Sequence, residues 1–143
     1  MLEHVIDDDA VIQAIQRVLR PGGRVLIGVP LVFTPQTRLL LRLRRLIRPR
    51  ARRLQLESVA AGQLAPELIG KQSHIRFYSL HALCALLERH GFRVLHAEGI
   101  GFAVRGPLVS LLRRNPLLLN LGTLLGRFIP AMGDGVLVLA ERL

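Results

Sequence analysis

Between Asp7 and Leu19 the apolar residues Val11, Ile12, Ile15, Val18 and Leu19 fall at i, i+1, i+4, i+7 and i+8. That spacing lays one stripe along a 3.6-residue helix and predicts a helix over 7–19. Asp7, Asp8 and Asp9 stand at its start, where the macrodipole favours negative charge and one carboxylate can cap free N–H groups. Pro21-Gly22-Gly23 cannot continue a helix and ends it sharply. The period then changes. Val25, Leu26, Ile27 and Val29 make a short, nearly continuous apolar run, which predicts a strand over 24–30 covered on both faces.

The same alternation of patterns returns further along. Ser79 can cap a helix through Arg89 whose leucines at 80, 83, 86 and 87 face inward, and Gly91 ends it. Phe92 onward predicts a strand over 92–98, with Gly99-Ile100-Gly101 read as a loop. Pro107–Arg114 and Pro116–Phe128 are leucine-rich helical segments, each opened by a proline, and form a helical insertion over 107–129. Gly135–Glu141 is the last strand. The stretch 36–70 is an insertion in which 36–48 is helical, Pro49 stops it, and 55–70 is mixed. Helix, tight turn and apolar strand make half of a βαβ unit, so the class is α/β and the chain one domain, 1–143.

Composition narrows the picture. Half of the 143 residues are hydrophobic, with no Trp, one Tyr and five Phe, so the core is built of leucine, valine and alanine. Cys84 is the sole cysteine, which excludes an intrachain disulfide and argues against a zinc–cysteine cluster. It reads as a small buried hydrophobe. The uncharged stretch Asn115–Gly126 has 12 residues, too few to span a bilayer, and no basic-then-apolar leader is visible. The default compartment is the cytoplasm.

The net charge of +10 is concentrated. Residues 38–53 hold eight arginines and no acid, which leaves +2 on the rest of the chain. Leu39, Leu40, Leu41, Leu43, Leu46 and Ile47 alternate with them. Such a helix can lie on an anionic membrane, cover a lipid-like substrate, or stand as a solvated cap over a site mouth. Nucleic acid is the weakest partner, because no aromatic residue interleaves the arginines for base stacking.

Two motif series carry a resemblance. Leu2-Glu3-His4-Val5, then Arg17-Val18-Leu19-Arg20-Pro21-Gly22-Gly23, then a strand ending at Pro30, is the first. His74-Ile75-Arg76-Phe77-Tyr78-Ser79, a leucine-rich helix and His90-Gly91-Phe92-Arg93-Val94 is the second. In that order and spacing they resemble the C-terminal half of a class I S-adenosylmethionine-dependent methyltransferase of the small-molecule type. The resemblance implies an incomplete Rossmann-like fold. The strands at 24–30, 92–98 and 135–141 would be the fifth, sixth and seventh, in the order fifth–seventh–sixth, with the last strand antiparallel to both neighbours.

It also implies a cofactor, S-adenosylmethionine, and a small-molecule or lipid-like acceptor. Met1, Leu2 and Glu3, at the end of the family's fourth strand, would lie on the cofactor side, and His74 and Arg76 on the substrate side. The family's glycine-rich loop and ribose-binding acid would lie N-terminal to Met1, so the chain is expected to be a fragment that alone does not bind the cofactor appreciably.

Methyl transfer needs in-line approach of a nucleophile to an electrophilic methyl, so the protein orients the reactants and can remove a proton. His4 is the candidate base, with a structural hydrogen-bonding role as the alternative. Glu3 with His4 could contribute to a divalent-metal site, as in some relatives, but those carry a further acid just upstream, and no metal is assigned here. His81, His90 and His96 show no partner pattern. The competing function is a non-catalytic remnant or basic helical module that binds a membrane surface or acidic partner through 38–53.

Overall fold

The computed structural model describes residues 2–32, 34, 35, 39, 43, 62–64, 69, 74–101 and 115–143. Apart from isolated positions, the arginine-rich stretch 38–53, the mixed stretch 55–70 and the predicted helix 107–114 lie outside the described residues, as does Met1. The described part runs from a 3-10 turn, Leu2–His4, into α1 (Asp8–Val18), β1 (Arg24–Pro30), α2 (Leu80–Arg89), β2 (Phe92–Ile100), α3 (Pro116–Phe128), a second 3-10 turn (Pro130–Met132) and β3 (Gly135–Arg142).

The helices start where the sequence supplies caps. The Asp7 side chain accepts from the Ala10 N–H, Ser79 accepts from Ala82 N–H at 3.2 Å, and Asn115 accepts from Leu117 and Leu118. Each satisfies a donor that the first turn leaves without a partner. Gly22 (φ 74°) and Gly91 (φ 74°) turn the chain out of α1 and α2 into the following strands, a backbone conformation costly for any residue with a Cβ.

The three strands form one sheet in the order β1–β3–β2, with β3 antiparallel to both. This is the order expected from the sequence. Val136, Val138 and Ala140 on β3 alternate with half-buried neighbours and are fully buried. They meet Ile27 and Val29 of β1, Ile12 of α1, and Leu83, Leu86 and Leu87 of α2 in one core that also takes in Leu2, Tyr78 and Phe92. Methylene-rich side chains supply nearly all of that burial, worth roughly 1.5–3 kcal/mol each.

Two expectations are corrected. β1 is not covered on both faces among the described residues. Val25, Ile27 and Val29 turn to the core, whereas Leu26 is 62% exposed. A strand's side chains alternate faces, and α1 and α2 share one core with the inward-facing residues of the sheet. The second correction concerns Gly99-Ile100-Gly101. Gly99 and Ile100 belong to β2, paired with Val136 and Gly135. A Cβ on Gly99 would fall 2.0 Å from the carbonyl oxygen of Gly126, and one on Gly126 would fall 1.7 Å from the carbonyl oxygen of Gly101. The glycines let α3 lie backbone against backbone on the end of β2, which their spacing in sequence does not reveal.

Candidate functional site

The sequence-derived site residues gather where the 3-10 turn Leu2–His4 meets the extended segment 74–79. Two hydrogen bonds tie these pieces together: the N–H groups of Ile75 (2.9 Å) and Arg76 (3.2 Å) both donate to the Glu3 carbonyl. The far side of the segment is fixed to the end of β1, because Val32 N–H donates to the Tyr78 carbonyl at 3.2 Å and Leu31 bridges Tyr78 in parallel. The site therefore lies beyond the C-terminal end of β1, the edge at which α/β sheets place their ligands.

Beneath it is a buried polar clamp. Arg76 and Tyr78, two apart on an extended chain, point the same way. The Tyr78 hydroxyl donates to Asp8 Oδ2 at 2.7 Å, and Arg76 Nη2 pairs with Asp8 Oδ1 at 3.1 Å. The same guanidinium donates from Nη1 to the Gly62 carbonyl (2.8 Å), from Nη2 to Ile6 (2.5 Å) and from Nε to Val5 (3.4 Å). The planar fork of arginine suits this many acceptors at once. Burial first, then the hydrogen bond to Asp8, pushes the Tyr78 hydroxyl far above its ordinary range, so it remains a neutral donor. A cleft of about 270 Å³ opens over the clamp between Asp8, Arg76, Tyr78, Ala82, Leu86 and Arg89. Its charged groups are already paired, Asp8 with Arg76 and Arg89 with Asp9.

The expected residues thus separate. Leu2 is 2% exposed and is part of the core. Arg76 turns inward, its side chain 12% exposed and committed to the clamp. Glu3 is buried, His4 exposed and His74 half-buried. His4 and His74 meet edge to face, ring centroids 4.9 Å apart, and His4 Nε2 lies 3.4 Å from Glu3 Oε1.

Sequence reasoning missed the partnership of Tyr78 and Asp8. Nothing local signals it, since the pair is 70 residues apart. It also took His90 as incidental, whereas His90 Nε2 lies 2.6 Å from Asp9 Oδ1. The three aspartates that open α1 are therefore all engaged: Asp7 caps the helix, Asp8 is held in the clamp, and Asp9 meets Arg89 and His90. Cys84 is half-buried in α2, and burial raises its thiol above the ordinary range, as befits an inert side chain. Among the described residues no helix is long and apolar enough to cross a membrane.

Comparison with solved structures finds a similar fold in an S-adenosylmethionine dependent methyltransferase from Mesorhizobium loti, with a TM-score of 0.50 and 17% sequence identity. The likeness covers 99% of this chain but 58% of that protein, so this chain spans little more than half of its length. At that identity the likeness is one of fold. No curated protein matches. A family model described as a methyltransferase domain matches residues 1–97, well over half of the chain. On that match, and with the sheet order that accompanies it, the chain belongs to the methyltransferase domain family.

Proposed function

We propose that this chain forms the acceptor-side part of an S-adenosylmethionine-dependent methyltransferase that acts on a small-molecule or lipid-like acceptor. The observation that carries the reading is the family match over residues 1–97, which includes the junction of Glu3, His4 and His74 at the C-terminal edge of the sheet. When bound, the cofactor would supply an electrophilic methyl. The described residues fit it on one rim only. Their positive-φ glycines are Gly22, Gly62, Gly91 and Gly101, and none opens a strand-to-helix turn where a backbone cradle would form.

What the chain's own residues contribute is position and proton handling. The clamp of Arg76, Tyr78 and Asp8 fixes segment 74–79 against the 3-10 turn, and so fixes where His74 and His4 stand. In this reading His4, which is exposed, takes a proton from the acceptor. A lipid-like acceptor is favoured by the basic leucine-rich stretch 38–53, which follows β1 in sequence.

The test is calorimetric titration of S-adenosylmethionine into two proteins, this chain and the reading frame extended upstream through any glycine-rich strand–turn–helix. The extended protein should bind in the micromolar range and this chain should not. Micromolar binding by this chain alone would overturn the division of the site. An upstream stop codon, or an extended protein that binds no cofactor, would favour the non-catalytic basic module instead.

A further inference from the structure

We propose that Glu3, His4 and His74 form a zinc site, with three protein ligands and a fourth position open. The sequence alone assigns no metal, because the acid that some relatives carry just upstream of Glu3-His4 is absent; His74 lies 70 residues beyond His4. The fold brings that third ligand in. One ligand atom from each of the three side chains lies within 4.8 Å of the other two.

The geometry is close to what the ion requires. Zinc holds imidazole nitrogen and carboxylate oxygen at about 2.0–2.2 Å, so ligands around a tetrahedral centre stand about 3.3–3.5 Å apart. Glu3 Oε1 and His4 Nε2 are already 3.4 Å apart. Closing the His74 edge takes a shift on the order of 1 Å, small beside the reach of the exposed His4 side chain. The backbone is held for it, because the Glu3 carbonyl accepts both amides that follow His74. Behind those amides the Arg76 fork fixes the segment against the turn through Val5 and Ile6. A ligand set anchored in this way loses little entropy on binding the ion.

The donor set selects the ion class. Two nitrogens and one carboxylate suit zinc and similar transition metals, whereas calcium and magnesium prefer oxygen alone. Asp7, Asp8 and Asp9 are also close together, but their carboxylates serve the cap, the clamp and His90. With three ligands from the chain, a fourth position would be left for a ligand from outside it. An oxygen bound there, from water or an acceptor hydroxyl, would lose its proton more easily than in bulk solution. With the ion in place, that oxygen, rather than His4, would be the group that gives up the proton. This consequence rests on the methyltransferase reading; the zinc site does not.

The experiment is titration of zinc chloride into the chelator-treated chain, with cobalt(II) substitution followed by visible absorption. One zinc per chain should bind, and cobalt should give the intense bands of a four-coordinate site. His4→Ala and His74→Ala should each weaken binding at least tenfold, since even outer partners of a metal ligand cost about 10–100-fold when lost. The far-ultraviolet spectrum of the apo variants should match wild type. Wild-type affinity in His74→Ala, or no saturable zinc binding, would overturn the site. Should a variant fail to fold, X-ray absorption of the zinc-loaded wild type decides. Two imidazoles and a carboxylate in the first shell support the proposal, and fewer than two imidazoles overturn it. Cofactor titration is a separate readout, so failure here leaves the methyltransferase reading standing, and the reverse holds too.

Discussion

Tyr78→Phe removes one hydroxyl from the clamp and leaves the ring, which is 1% exposed, in its packing. The lost bond is the 2.7 Å donation to Asp8 Oδ2. Asp8 is 4% exposed, so little water reaches its carboxylate to replace the donor. The carboxylate keeps Arg76 at 3.1 Å on its other oxygen, so the charge stays paired. What remains is a hydrogen bond to a charged group, worth about 1.5–3 kcal/mol when one partner is removed. With a urea slope of about 2 kcal/mol/M, the midpoint should fall by roughly 1 M. The melting temperature should fall by about 5–10 °C for a chain of this size. Equilibrium unfolding in urea, followed by far-ultraviolet circular dichroism at neutral pH, measures it. The slope should not change, because the surface exposed on unfolding is the same. A loss under about 0.5 kcal/mol would refute the reasoning, since it would mean that Asp8 Oδ2 is solvated or finds another donor at no cost.

Arg76→Lys keeps the positive charge but cannot serve Asp8 and three carbonyls together, so it should cost more than Tyr78→Phe, about 3 kcal/mol or more in the same urea experiment; a variant as stable as wild type would contradict the clamp. Gly126→Ala sets helix propensity, which favours Ala by about 1 kcal/mol, against a Cβ placed 1.7 Å from the Gly101 carbonyl oxygen. Packing should win, with a net loss of about 1–3 kcal/mol, and a stabilised variant would show that α3 does not rest on β2. Asp9 titrates below its ordinary range because His90, and then Arg89, hydrogen-bond its carboxylate. A lowered folded value means that its stabilising effect is full above about pH 4 and is lost as the pH falls through that lowered value. The group is half-exposed, so the gap between wild type and Asp9→Asn should stay within about 1 kcal/mol. It should be present at pH 6 and shrink below pH 4; a gap that does not change with pH would count against the pairing.

Local physics decided most of the elements. The apolar stripe of α1, the caps at Asp7 and Ser79, the stops at Gly22 and Gly91, and the apolar runs of β1 and β3 depend on neighbours a few residues away, and the sequence carries them openly. The sheet order and the family were legible too, but through motif order rather than through periodicity. Tertiary structure alone decided the rest. An apolar run of four does not say which faces will be covered, and Leu26 is exposed because the core shared with α1 and α2 lies on the face of Ile27 and Val29. A glycine pair reads as a loop until a second backbone is seen lying on it, as Gly126 lies on Gly99 and Gly101. The family resemblance puts Arg76 on the substrate side; with Asp8 and three carbonyls within reach, facing inward costs less than staying out. His74 meets Glu3 and His4 for a different reason. Residues 70 apart share a site only when hydrogen bonds such as those to the Glu3 carbonyl bring their segments together, and no local pattern in the chain encodes that meeting.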